Sequence, residues 1–222
     1  MSENNIHTLV ADFLILQRNY QFTRRALMTK ERFKDVALCD KARGLDLSDE
    51  SLKEPLIEHV GHLPILASYL YPHIEQTNKV NLGRALIMLS LHDIGETILG
   101  DKFAYTKTVA EELDEVDIAR TLIHSSLISY FEEYEAGETF DAKFAKSIDI
   151  LAPIIHEVDL IGYIGNRFDQ LGGSLEKIIA KKRQYLTFDK TLVAVFDICL
   201  EHSQCYSDGR PLLFDVMEYD LK

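Results

Sequence analysis

Cysteine is scarce in this 222-residue chain, and the three present, Cys39, Cys199 and Cys205, form no Cys-x-x-Cys pair. Three cannot all pair, which argues against a disulfide scaffold and fits a reducing compartment. Glycine and proline are also few, 11 and 5, and strand-like alternation is rare. Uncharged apolar runs fall well short of the ~18 residues that a membrane span needs. The polar start, Met1 to Asn5, has no basic stretch leading into an apolar run, so no signal peptide is read there. Positive charge is in deficit: 24 Lys and Arg face 36 Asp and Glu, a formal net charge of −12. Such a chain has no general attraction for nucleic acid or anionic lipid. Any anionic ligand must be gripped locally. A cytoplasmic location is the expectation.

What is there is a helical pattern. Apolar residues make up 46% and charged residues 27%, ordinary values that exclude disorder as the main state. Apolar positions recur every three to four residues, the spacing of helices with one buried face. The reading is an all-α single domain over 1–222. Helices are expected over 6–22, 58–71, 79–98 (stopped by Gly100), 108–135, 141–163 (capped by Asp141 and bent at Pro153), 174–185 and 189–204. Residues 29–56 read as a loop with short helical pieces, and the tail from Ser207 as loosely packed. The acidic stretch 108–135 has two readings, a homodimer face or ordinary packing on the core.

Three places carry chemistry. Leu91-His92-Asp93-Ile94-Gly95-Glu96 ends the apolar run Ala85 to Leu91. A His and an Asp there are costly unless paired or bound to metal. Glu96 is four residues beyond His92 and shares its face. Second, His59 and His62 open another apolar helix, three residues apart, and neutral imidazole is a common ligand for divalent metals. Third, Asp149 borders the apolar stripe of its helix, and Asp159 is equally embedded. Each needs a partner, and periodicity does not choose between them. A His, an adjacent His-Asp and an Asp, each on a different helix, make a mixed nitrogen and oxygen set for a divalent metal. The remaining positions stay open for water and substrate.

This pattern resembles the HD-domain superfamily of metal-dependent phosphohydrolases, and within it the 5′-deoxynucleotidase branch. Glu54-x-x-x-Glu58-His59 looks like that branch's E-x-V-x-E-H. Leu91-His92-Asp93-Ile-Gly-Glu96-Thr-Ile-Leu-Gly100-Asp101 resembles its H-D-x-x-E-x-x-x-G-D. The stretch Glu132 to Asp149 is similar to E-E-Y-E…A-K-F-V-K-x-L-D. The matches span about residues 54–160. The chain departs from the family at Val60-Gly61, at Pro64, in the longer segment before His59, and after Asp101, where Lys102 to Lys107 replaces Pro-Thr-Pro.

The resemblance implies an HD-domain helical bundle holding one divalent ion (Mn, Co, Fe, Zn or Mg) on His59, His92, Asp93 and Asp149. It implies that Glu96 and Asp101 act on the attacking water or the leaving oxygen. It further implies an arginine from the first helix on the phosphate, for which Arg18 is the candidate, with Tyr20 nearby. Lys102 and Lys107 are further cations for phosphate. The expected reaction is phosphate release from nucleoside 5′-monophosphates. The alternatives are a (p)ppGpp-type pyrophosphohydrolase, disfavoured by Thr97 where a second acid is expected, and a non-catalytic helical module. The expected partner is a small phosphorylated molecule of the nucleotide class, with a homodimer as the assembly such proteins often adopt.

Overall fold

A computed structural model describes residues 3–29, 53–104, 106–161 and 175–207. Helix α1 (Glu3–Phe22) opens the chain. Thr23 N then bonds back to Asn19 O at 2.9 Å, and the backbone straightens. It forms β1 (Arg24–Thr29), which pairs antiparallel with β2 (Lys53–Pro55). Arg24 stands opposite Pro55, and the register shifts before Thr29 meets Lys53. This two-stranded ribbon corrects the expected loop at residue 29 and over 53–55; the rest of that loop lies outside the described residues. Leu56 N donates to Thr23 O at 2.9 Å, so β2 runs directly into α2 (Leu56–Leu70) beside the end of α1.

The expected helix over 79–98 is two helices, α3 (Leu82–Leu91) and α4 (Glu96–Leu99). Between them the bonds tighten by one residue: Ile94 N reaches Leu91 O and Glu96 N reaches Asp93 O, both at 3.1 Å. A neighbouring helix, α5 (Val109–Leu122), presses on this turn. A Cβ placed on Gly95 would lie 2.5 Å from the Glu115 carbonyl oxygen, so only glycine fits without movement. Gly100, with φ of 80°, ends α4 in a conformation that suits glycine.

The expected stretch 108–135 also breaks in two, into α5 and α6 (Ile128–Ala136). At the break His124 Nδ1 accepts from Ser126 N at 3.2 Å and its carbonyl accepts from Leu127 N at 2.8 Å. Local bonds of this kind compete with the helix. Thr108 and Glu111 form a reciprocal cap at the start of α5.

Helix α7 (Phe140–Ile161) runs through Pro153. Asp141 does not cap it. Thr139 does, accepting from Ala142 N at 3.1 Å, while Asp141 accepts from Asn81 N at 2.7 Å and so satisfies the start of α3. Tyr163, the expected end, lies outside the described residues, as do Gly172, Gly173 and the tail from 208. Two helices follow, α8 (Leu175–Lys182) and α9 (Lys190–Ser207), with one turn of tighter helix between them over Arg183–Leu186.

The main core joins α2, α3, α7 and α9 through Leu63, Met88, Leu89, Phe144, Ile148 and Phe196, all fully buried. Each such side chain contributes about 1.5–3 kcal/mol. A smaller cluster, Tyr20, Leu56, Ile94, Ala119, Ile123 and Phe131, joins α1, α5 and α6 to the start of α2 and to the turn after His92. The outward residues of α1, among them Leu9, Phe13 and Ile15, are exposed. Among the described residues no helix is long and apolar enough to cross a membrane.

Candidate metal centre

Four elements converge between the two apolar clusters. His59 projects from the first turn of α2, His92 caps the end of α3, Asp93 follows it, and Asp149 stands midway along α7. His59 Nε2 lies 3.5 Å from Asp93 Oδ2 and 3.4 Å from Asp149 Oδ1. His92 Nε2 lies 3.1 Å from Asp93 Oδ1 and 3.4 Å from the same Asp149 oxygen. One ligand atom from each of His59, His92 and Asp149 falls within 4.8 Å of the others, close enough to hold a metal ion. His62, a turn further along α2, is half-buried and outside this group.

The chemistry of the donors fits a divalent ion. Both Nε2 atoms are buried, and neither has a hydrogen bond. Buried polar atoms are rarely left so. The outer atoms are already committed. His92 Nδ1 lies 2.9 Å from Leu89 O, an arrangement in which Nδ1–H donates and Nε2 keeps its lone pair for the centre. Tyr134 on α6 donates its hydroxyl to Asp149 Oδ2 at 3.2 Å, leaving Oδ1 facing the histidines. The ion would be held by these inward atoms.

Without a cation the charges of the ligands settle on each other. Burial opposes the His92 imidazolium, but Asp93 and Asp149 outweigh it and hold its pKa well above the ordinary value. Burial likewise opposes the Asp149 carboxylate, yet His92 and His59 hold its pKa well below the usual range. Asp93 is lowered in the same way by His92, His59 and Arg25.

A second layer surrounds Asp93. Glu96, at the start of α4, is 5% exposed, and its Oε2 is buried without a hydrogen bond. Burial first, then Asp93 and Asp101, push its pKa well above the usual carboxylate value, against the pull of Arg25. Arg25, from β1, gathers the acids: Nη1 lies 3.3 Å from Asp93 Oδ2 and 3.8 Å from Glu96 Oε2, and Nε lies 3.6 Å from Asp101 Oδ2. Burial also raises the pKa of the Tyr20 hydroxyl, with Asp93 and Glu96 adding to the effect.

Not every expected residue comes to the centre. Arg18 is exposed on α1. The arginine among the acids is Arg25 instead, because α1 ends at Phe22 and the chain then turns inward as β1. Lys107 is half-buried, within the field of Glu96 and Asp101 at the edge of the second layer, and donates to Glu115. Lys102 is exposed and donates to Glu111 at 2.6 Å. Asp159 lies on α7, with its side chain outside the described residues. Glu54, the first acid of the motif before His59, is buried and lies 3.9 Å from His156 Nδ1.

Sequence reasoning missed Arg25 and Tyr134. A signal existed for Tyr134, since it falls three residues after the buried Phe131 and a buried tyrosine hydroxyl needs a partner. For Arg25 there was little, because its nearest carboxylate is 68 residues away along the chain.

The family model described as an HD domain matches residues 40–184. Two solved structures share the fold. One, a predicted metal-dependent phosphohydrolase from Magnetospirillum magnetotacticum MS-1, is 23% identical with a TM-score of 0.68, covering 94% of this chain and 100% of its own. The other, a conserved hypothetical protein from Pyrococcus furiosus, is 18% identical with a TM-score of 0.54, covering 85% of this chain and 99% of its own. No curated protein matches the chain. With the helical bundle, the His-Asp turn and the family match over most of its length, this chain belongs to the HD-domain family.

Proposed function

We propose that this protein is a metal-dependent phosphohydrolase that releases phosphate from nucleoside 5′-monophosphates, with His59, His92, Asp93 and Asp149 as metal ligands. The observation that carries the reading is the pair of buried Nε2 atoms, without hydrogen bonds, facing one Asp149 oxygen. The similarity to the predicted phosphohydrolase from Magnetospirillum supports the reaction class. The nucleotide class rests on the sequence resemblance to the 5′-deoxynucleotidase branch. A bound divalent ion supplies a water of lowered pKa and draws charge from a phosphoryl oxygen.

The residues around the centre divide the remaining work. Glu96 is held near Asp93 with a raised affinity for protons, so it can take a proton from the attacking water and keep it. Asp101, at the end of α4, passes a proton to the leaving oxygen or contacts the sugar. Arg25 keeps Asp93, Glu96 and Asp101 together and presents a planar cation to the phosphate. Arg18 and Lys107 take less of this role, the first being exposed and the second paired with Glu115.

The test is phosphate release from a panel of nucleoside 5′-monophosphates, with the protein stripped of metal and Mn, Co, Fe, Zn or Mg restored singly. Metal-dependent release that Glu96→Gln lowers by roughly 10²–10⁴-fold supports the reading. Silence from protein shown to bind metal overturns the substrate class. Failure to bind any of these metals overturns the metal centre.

A further inference from the structure

Helix α8 ends on Lys181 and Lys182, and Arg183 follows. The three cations go to different places. Lys181 Nζ donates to the Ala104 carbonyl at 2.7 Å, three residues beyond Asp101. Arg183 pairs outward with Asp197 on α9, at 3.1 and 2.8 Å. Just after it, the Tyr185 carbonyl accepts from Ser147 Oγ at 3.1 Å, two residues before Asp149 on α7. Along the chain Lys182 thus lies between two anchors, Lys181 on the loop after Asp101 and Tyr185 on the turn of α7 that carries Asp149.

Its charged neighbours are Asp149 and Asp93 of the metal centre, with Lys181 and Arg25. Among the described residues it makes no hydrogen bond and no ion pair within 4 Å. The nearby carboxylates are already engaged: Asp149 by two histidines and Tyr134, Asp93 by two histidines and Arg25. Lys182 is half-buried; partial desolvation of an ammonium without a carboxylate of its own is unfavourable until an anion joins it, and it lowers the pKa here. Of the four expected ligands Asp149 has the most exposed side chain, 28% against 3% and 4% for the two histidines.

We propose that Lys182 is a phosphate-binding residue, whose ammonium grips the phosphoryl group from α8 while Arg25 approaches from β1. Two cations beside a metal suit a dianionic terminal monophosphate better than a phosphodiester, which carries one negative charge. The inference rests on the reading of this centre as a phosphohydrolase and assigns it a monoester end rather than an internal phosphate.

The test uses the metal-loaded protein and inorganic phosphate. Lysines are acetylated with acetic anhydride, with and without phosphate, and each site is quantified by mass spectrometry. Phosphate is expected to lower acetylation of Lys182 several-fold and to leave Lys190, 88% exposed, unchanged. Titration calorimetry of Lys182→Gln should show phosphate binding weakened roughly 10-fold, with Lys182→Arg recovering most of it. In turnover the loss should fall on KM more than on kcat. Equal labelling of Lys182 with and without phosphate overturns the proposal, and needs no variant to fold. Protection of Lys182 in a protein that hydrolyses no monoester keeps Lys182 as an anion site and removes the phosphatase reading. Turnover with no protection and an unchanged Lys182→Gln removes the role of Lys182 alone.

Discussion

The same two helices carry two charged clusters of opposite character. Near the starts of α3 and α7, Arg84 meets Asp141 at 3.0 Å and also Glu133, which in turn accepts from Thr139 at 2.6 Å. Asp141 further accepts from Asn81 N. This cluster consumes its own donors and acceptors and ties α3, α6 and α7 together. At the end of α3 and two turns along α7, His92 and Asp149 leave inward atoms unspent. Clusters of similar composition thus do different work. A cluster that satisfies itself fixes helices, whereas one that leaves buried atoms open is arranged for a ligand.

Substitutions test this contrast, and the largest effect is expected at the open cluster. His92→Ala removes an inward nitrogen and should abolish both metal content, measured by elemental analysis, and phosphate release. Glu96→Gln should lower turnover by roughly 10²–10⁴-fold while metal content stays at wild-type stoichiometry. Tyr134→Phe frees Asp149 Oδ2 and should weaken metal binding about 10-fold, read by competition with a chelating dye. At the closed cluster the pattern reverses. Asp141→Ala should cost about 1–3 kcal/mol in urea unfolding and leave metal affinity within roughly two-fold.

The response to pH separates the two ends further. In the metal-stripped protein, His92 has a raised pKa, so its stabilising charge is present in full below the ordinary imidazole value and is lost as pH rises through the folded value. Asp149 has a lowered pKa, so its contribution is present above the ordinary carboxylate value and is lost as pH falls through the folded one. Thermal unfolding without metal should therefore peak between those two ordinary values. Metal binding needs neutral imidazole, so its affinity should rise with pH over the range in which His92 loses its proton.

How much of this was legible in the sequence depends on the distance over which each interaction acts. The helices were visible because apolar spacing is local. His92 and Asp93 stood out as polar residues ending an apolar run, and His59 opened another. The breaks at 92–95 and 123–127 were hidden. One depends on α5 pressing against Gly95, and the other on a histidine bonding its own following turn. Periodicity left Asp149 and Asp159 equal, since both border the buried stripe, and the contacts that distinguish Asp149 come from α2, α3 and α6. Arg25 was invisible for the same reason: β1 becomes a strand only by pairing with β2, about 30 residues later.

That ribbon also separates length from chemistry. Arg24 is matched to Pro55 at the end where Arg25 and His59 leave for the centre, and Leu56 N is tied to Thr23 O there. The chain between residues 29 and 53 departs from the opposite end. Doubling a connection adds only about 0.6 kcal/mol of closure cost. The connection between the strands can thus lengthen or shorten at little cost while the spacing of arginine and first histidine in space stays the same. Counting residues from the arginine to the first ligand is consequently a poor ruler for recognising relatives of this protein.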